Sequence, residues 1–352
     1  MKKVLVDLKI VGGNPYNGLY TYCLQLGKRL LTFPIKEFDL YYYQPRKTFG
    51  LFGDKVKYVA QRSIDKYYRF GTDKFDVWHA TTQIAWYRPF NKKTRFLFTI
   101  HDLNFLIEYP EKIKINRQKL RLIQQRVDRA DYLTFISNFA YNQASQYLDL
   151  RQKPFTIIYP GCALLTTPVD PAVPAYVPAK PFLFSLGLIQ PRKNFHVLIP
   201  LLEGNDFELV ISGLDTDDYK NVITAAARKY NVESRVILTG PVNEKEKVWY
   251  YQNCTAFLFP SFAEGFGLPI VEGMFYGKPV FLSRETSLPE IGGEAAYYFD
   301  SFDPAVMQKN FNDGLQHYHD YSPIEKIKER ASRFTYDQTA MGYIEIYKQL
   351  IN

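Results

Sequence analysis

Short runs of β-branched and aromatic residues alternate with helical stretches along nearly all of the 352 residues, and this alternation constrains the fold more than any other feature. Strands are predicted over 4–8, 38–43, 56–59, 77–79, 95–100, 132–136 and 156–158, and again over 182–186, 208–211, 235–239, 256–259, 279–282 and 296–299. Two series of this kind predict two parallel, doubly wound α/β sheets. Between them the stretch TTPVDPAVPAYVPAKP carries Pro168, Pro171, Pro174, Pro178 and Pro181. That proline density excludes helix and favours an extended linker. The expected division is therefore a first domain over 1–165, a linker over 166–180 and a second domain over 181–337. The last helix, 338–352, is expected to pack back on the first domain. Doubly wound sheets bind ligands at the carboxyl ends of their strands, so the site is expected in a cleft that the two domains share.

Length and composition agree with this reading. At roughly 100 to 200 residues per domain the chain is long enough for two cores. With 46% hydrophobic and 23% charged residues it is neither a disordered chain, a collagen-like repeat nor a coiled-coil rod. Cys23, Cys162 and Cys254 are far apart and have no metal-ligand spacing, which argues against a disulfide framework or structural zinc and for a reducing cytoplasm. No apolar run approaches the ~18 residues of a membrane span. The opening MKKVLVDLKIVGG reads as a strand entering a glycine turn rather than a signal sequence, so a protein neither exported nor membrane-spanning is expected.

The charge is unevenly spread. Residues 1–170 hold 27 Lys and Arg against 14 Asp and Glu, whereas 171–352 hold 17 against 22. Lys112, Lys114, Arg117, Lys119, Arg121, Arg126 and Arg129 share one stretch, in which Ile113, Leu120, Ile123, Val127 and Ala130 recur at helical spacing. This predicts an amphipathic basic helix. Either it is a core-facing helix with a solvated back, or its surface rests on anionic lipid or an anionic acceptor. None of the nucleic-acid signatures is present, so nucleic acid is not an expected partner.

The segment FPSFAEGFGLPIVEGMFYGKPVFLS, residues 259–283, places Glu264 and Glu272 with seven residues between them. Gly265 and Gly267 permit backbone conformations that turn the amides from Gly265 to Leu268 toward a ligand. Pro269 suits the first helical position, with Glu272 on the first turn. A helix starting there offers its positive dipole end to phosphate oxygens or sugar hydroxyls. A carboxylate at Glu272 is able to clamp a vicinal diol, and Glu264 to face a second polar ligand. The plainer account is a loop entering a helix whose glutamate complements the dipole. Upstream, SLGLIQPRKNFHVLI puts Arg192 and Lys193 at the start of another predicted helix. Cations are unfavourable there unless an anion such as a pyrophosphate is bound; otherwise they are a solvated surface pair.

PSFAEGFGLPIVEGM resembles the Glu, seven residues, Glu signature of the family-four retaining glycosyltransferases, and PRKN is similar to their donor-phosphate motif. The likeness continues through ILTGPV at 237–242, SLPEIGGEAAYYFD at 287–300 and FTYDQTA at 334–340. In the first half VGGNPYNGLYTY, TIHDLNFL, FISNFA and IIYPG also fit. The resemblance implies the GT-B fold, two Rossmann-like doubly wound domains facing across a cleft. It implies transfer of a hexose from a nucleotide-diphosphate sugar to a glycan acceptor. The basic first domain points to a lipid-linked glycan or a lipopolysaccharide core as that acceptor, at the inner face of the cytoplasmic membrane, and so to surface polysaccharide or lipopolysaccharide assembly.

Residue by residue, the resemblance makes Glu272 the ribose clamp and sets Glu264 with Phe266, Gly267 and Leu268 at the donor hexose and phosphates. It places Val242 at the base, Lys193 and Arg192 at the leaving diphosphate, Gly13 near donor and acceptor, and His101 at the transferred sugar. Without the resemblance, a histidine following an apolar strand reads more readily as a satisfied structural residue, and the resemblance reverses that reading. Relatives often carry an arginine where Leu188 stands here, alanine at Gly273 and tryptophan at Tyr336. No clustered carboxylates suggest a divalent metal, so a metal-independent reaction without cofactor is expected, the donor being a GDP- or UDP-sugar and PRKN leaning toward mannose. Two alternatives are a nucleotide-sugar epimerase of related fold and an inactive scaffold subunit.

Overall fold

A computed structural model describes residues 1–62, 74–84, 87–165, 169–216 and 218–352. In chain order the regular elements are β1 (Lys2–Asp7), α1 (Gly18–Leu30), β2 (Phe38–Gln44), β3 (Lys57–Ala60), β4 (Val77–Ala80), β5 (Arg95–Ile100), α2 (Phe105–Glu108), α3 (Ile113–Arg129), β6 (Tyr132–Phe135), α4 (Asn138–Tyr147) and β7 (Phe155–Ile157). They continue with β8 (Phe182–Leu186), β9 (Glu208–Ser212), α5 (Lys220–Lys229), β10 (Val236–Gly240), α6 (Glu244–Asn253), β11 (Ala256–Phe259), α7 (Leu268–Phe275), β12 (Val280–Ser283), α8 (Leu288–Gly292), β13 (Tyr297–Phe299), α9 (Pro304–Tyr321), α10 (Ile324–Ser332) and α11 (Tyr336–Ile351). Each predicted strand is present with ends shifted by no more than two residues. Residues 166–168, where the expected linker begins, lie outside the described residues.

The chain divides into two compact units. One comprises Met1–Gly161 with Tyr336–Asn352, the other Cys162–Thr335. In the first, an all-parallel sheet has the order β3-β2-β1-β4-β5-β6-β7. Parallel strands covered on both faces read as continuous apolar runs, and Val4, Leu5 and Val6 of β1 are fully buried between β2 and β4. Helix α1 starts where the Asn17 side chain accepts from the Leu19 amide, and it buries Tyr22, Cys23, Leu26 and Leu30 at helical spacing. Helix α11 packs on this sheet through Tyr343 and Tyr347. Their hydroxyls join a buried polar chain in which His79 Nδ1 meets Tyr347 at 2.6 Å, His79 Nε2 meets Thr99 at 2.8 Å, and Tyr343 meets Tyr22 at 2.7 Å. Each aromatic side chain also contributes about 1.5–3 kcal/mol by leaving water.

Helix α3 buries most of its expected apolar face, with Ile123, Val127 and Ala130 buried and Leu120 half-buried; it departs only in the first turn. Asn116, Ile123, Arg126 and Val127 form its buried side, whereas Ile113 is 59% exposed. Asn116, not Ile113, is buried in that first turn, its amide donating to the Tyr109 carbonyl at 2.7 Å.

The second unit holds a parallel sheet in the order β10-β9-β8-β11-β12-β13. The proline-rich stretch is extended and pinned to this unit. The Ala179 and Lys180 amides donate to Glu208 Oε1 at 3.1 Å, Tyr176 donates to the same carboxylate, and the Ala172 amide donates to the Lys245 carbonyl. In both sheets the strand order reverses once, at β1/β4 and at β8/β11. A doubly wound sheet opens its ligand crevice at such a reversal, beyond the carboxyl ends of the two strands.

Candidate active site

The loops that leave β8 and β11 are neighbours because those strands pair in parallel. The first carries Arg192 and Lys193, the second Glu264. Beyond β8 the backbone passes Gly187, whose φ is 154°; a Cβ on Gly187 would stand 3.0 Å from Lys193 Cε. Gly213, at the end of β9, approaches so closely that its Cβ would lie 1.8 Å from the Gly187 carbonyl oxygen. The two glycines thus make room for the lysine stem.

Neither cation opens an α-helix. Pro191–Lys193 is a single 3-10 turn, closed by Asn194 in the left-handed conformation, and a second 3-10 stretch follows over Phe195–Leu202. The expected dipole conflict is therefore absent, and the anion that accompanies the cations is Glu264. Lys193 Nζ donates to Glu264 Oε1 at 2.6 Å, Arg192 Nη1 at 3.0 Å and Ser261 Oγ at 2.6 Å. Burial pushes the Glu264 carboxyl upward, but the charges of Lys193 and Arg192 outweigh it and bring its pKa to about 2. Two cations thus converge on one ionised carboxylate. Its three side-chain donors all use Oε1, so Oε2 takes none of these bonds.

The loop behind Glu264 is fixed through its carbonyls. Ser287 Oγ donates to the Glu264 and Phe266 carbonyls at 3.0 and 3.1 Å, and the Glu264 amide donates to Thr286 Oγ1. Gly267 has φ 101° and caps α7, a conformation in which any side chain is strained; a Cβ there would also displace Ile270 Cδ1, 2.7 Å away. Helix α7 begins at Leu268, one residue before the expected start, with Pro269 second. Glu272 consequently sits on the second turn rather than the first. Its carboxylate is met by Lys247 Nζ at 2.7 Å and by Tyr251 Oη at 3.0 Å. At the adjoining helix position, Gly273 fits because Phe257 would lie 3.2 Å from its Cβ. Val242, half-buried, lies between β10 and α6, just before Asn243 and Glu246 form a capping box.

Arg192, Lys193, Val242, Glu264, Phe266, Gly267, Leu268 and Glu272 all belong to the second unit, and Gly13 and His101 to the first. Gly13 is an exposed bend residue. His101 follows β5 and is buried. Its Nε2 lies 2.8 Å from the Thr81 carbonyl, which can only accept, so Nε2 bears the proton and Nδ1 the lone pair. Tyr22 meets the ring edge-on at 4.7 Å. Burial lowers the His101 pKa to about 4 against the opposing Thr81 bond, which keeps the imidazole neutral at ordinary pH. Sequence reasoning missed Lys247, Tyr251, Ser261 and Ser287. The Asn243-x-x-Glu246 pattern was a usable signal for the first two: it fixes the start of α6 and so sets Lys247 and Tyr251 on one face. Among the described residues no three His, Cys, Asp or Glu side chains are grouped to hold a metal ion.

Residues 170–331 match the family described as glycosyl transferases group 1. The chain is 25% identical to the O-antigen chain mannosyltransferase B of Escherichia coli over 96% of this chain and 97% of that protein. It is 26% identical to the Escherichia coli serotype-specific mannosyltransferase WbdA over 64% of this chain, spanning 29% of that longer protein. Its fold is shared with a sucrose-phosphate synthase from Thermosynechococcus elongatus, with TM-score 0.76, 16% identity and 99% of each chain covered. Anabaena HepE in complex with UDP and glucose superposes with TM-score 0.73 and 16% identity over 99% of this chain and 100% of that one.

Proposed function

We propose, on the premise that this chain is a group 1 glycosyltransferase of GT-B fold, that it transfers a mannose-type hexose from a GDP- or UDP-linked donor to a glycan or lipid-linked glycan during surface polysaccharide assembly, with retention of configuration. The observation that carries this reading is the Arg192–Lys193–Glu264 cluster beyond β8 and β11, which brings two cations together at the reversal point of a doubly wound sheet.

In this reaction the bond from C1 of the hexose to the donor phosphate breaks and a bond from the acceptor oxygen to C1 forms on the same face. The acceptor's proton passes to the departing phosphate. The developing negative charge of the diphosphate is the largest electrostatic demand, and preorganised cations meet it without reorganisation. Lys193 and Arg192 take that role, with Phe266, Gly267 and Leu268 beside the phosphates. Glu264 holds the two cations through Oε1 and directs Oε2 at a hexose hydroxyl. Glu272 binds the ribose and Val242 the base. His101 presents its Nδ1 lone pair to the transferred sugar, with Gly13 near donor and acceptor.

Contact with an anionic membrane at its inner face is supported by α3. Lys114 and Arg121 are exposed on its outer side, and Ile115 and Leu122, 48% and 39% exposed, stand one above the other on the flank. No helix among the described residues is long and apolar enough to cross a membrane. A thermal-shift panel of nucleotide-sugars followed by transfer assays tests the reading, because a ligand that binds only the native state raises apparent stability. Stabilisation by GDP-mannose above other donors is expected; no response to any nucleotide diphosphate overturns it.

A further inference from the structure

Glu272 is approached from α6 by a side chain that no part of the reaction above requires. Lys247 is buried, its Nζ 2.7 Å from Glu272 Oε1 and 2.9 Å from Glu244 Oε2. One turn further along α6, Tyr251 Oη donates to Glu272 Oε2 at 3.0 Å and to the Pro269 carbonyl at 3.1 Å. The helix begins immediately after Val242, its first turn locked by Asn243 and Glu246. One lysine therefore ties the segment that carries Val242 to the helix that carries Glu272.

Burying an ammonium costs several kcal/mol of hydration, and an apolar residue in its place commonly serves stability as well or better. We propose that Lys247 is a positioning residue for nucleotide binding, holding the Glu272 carboxylate as an aimed, charged acceptor for the two ribose hydroxyls of a nucleoside diphosphate. The proposal rests on the ribose role of Glu272 given above. A diol needs acceptors on both carboxylate oxygens, and a protonated carboxyl would present a donor on one of them. The groups facing Glu272 are Lys247, Glu244 and Tyr251 from α6, Tyr276 at the end of α7 and Cys162 from the segment that opens the unit. Burial raises the Glu272 pKa above the ordinary carboxylate value and Glu244 adds to the rise, while Lys247 and Tyr251 oppose it. Although burial works against its charge, Lys247 is held ionised by two carboxylates, whereas among the described residues Glu272 is paired with the one ammonium of Lys247.

The test is calorimetric titration of GDP and UDP into the full chain from about pH 6 to about pH 9, for the wild type and for Lys247→Met, Lys247→Gln, Lys247→Arg and Glu272→Gln. Affinity of the wild type is expected to be flat. Lys247→Met, and Lys247→Gln, which keeps a donor without the charge, are expected to bind at least about tenfold more weakly at the acid end and to recover as pH rises, since one pKa unit corresponds to tenfold. Lys247→Arg is expected to restore the flat profile. Uncharged variants that run parallel to the wild type overturn the proposal, as does a pH-independent loss. Failure of both uncharged variants to fold while Lys247→Arg folds assigns the lysine to stability and overturns it too. Wild-type affinity in Glu272→Gln defeats the ribose assignment itself; weak binding there with parallel Lys247 variants defeats only this inference.

Discussion

Lys193 and Glu264 are 71 positions apart in the chain and 2.6 Å apart in space. They meet because β8 pairs with β11, a strand that is not its neighbour in sequence. Removing the lysine deprives the buried carboxylate of an ionic partner and, on the proposed function, the diphosphate of a cation. Lys193→Ala is expected to lower kcat by the equivalent of about 2–4 kcal/mol, with a smaller change in donor KM. It is also expected to cost about 3 kcal/mol of stability, since a buried charge loses compensation. The double variant Lys193→Ala/Glu264→Gln should regain much of that stability in denaturant titrations and none of the turnover. Recovery of turnover in the double variant would contradict the diphosphate role.

Gly213→Ala tests the room made for that lysine. A Cβ 1.8 Å from the Gly187 carbonyl forces the two strand ends apart, and φ at Gly213 is 154°. A loss of about 2 kcal/mol or more in unfolding free energy is expected. Transfer activity should fall at temperatures where the variant is still folded, because the displaced Gly187 borders the Lys193 stem. An alanine variant with unchanged denaturation midpoint and turnover would contradict the steric account.

Acid should weaken the first unit before it affects carboxylates. Burial lowers the pKa of His79 to about 3, assisted by the nearby His101, and that of His101 to about 4. Both native values lie below the unfolded value of about 6.5, so the unfolded chain takes up protons first. Stability is then full above about pH 6.5 and falls as pH drops through the window toward the native values, by at most about 1.4 kcal/mol per pH unit per histidine. Glu264, lowered to about 2, adds to the loss at more acid pH, while the raised pKa of Glu272 partly offsets it. Melting temperatures read across this range should show a shallower slope for His79→Gln than for the wild type; equal slopes would contradict the assignment.

The basic helix offers a fourth measurement. Sedimentation with vesicles containing anionic phosphatidylglycerol at low salt should decrease for Ile115→Glu/Leu122→Glu and for added salt, with melting temperature unchanged. Sedimentation that is equal for wild type and variant removes the membrane clause and leaves the transfer reaction untouched.

The strands could be read from sequence because buried parallel strands carry short, largely apolar runs such as FLFSL and AFLF, rich in aromatic residues and bounded by polar or turn residues. The GFGLP turn was legible for a similar reason: a left-handed cap at Gly267 tolerates little else. What the sequence could not supply was pairing across the sheet. Arg192 and Lys193 point to an external anion when read locally; the reversal of strand order brings Glu264 to them as well, and no local pattern encodes that order. Lys247 escaped notice because EKEKVWYYQN reads as a solvated helix with charges to spare. Only the position of α7 beside it turns one of those charges inward. Ile113 misled in the opposite sense, since an apolar residue in helical register was taken to face the core and Asn116 faces it instead.

Helix α11 has a consequence for biosynthesis. His79, Thr99 and Tyr22 find partners on residues 343 and 347, so the sheet made first lacks these partners until the ribosome has passed the whole second unit. Vectorial maturation, one unit closing before the next emerges, is thereby denied to this chain. A nascent polypeptide halted in the second unit would expose an aromatic-lined groove for as long as translation pauses.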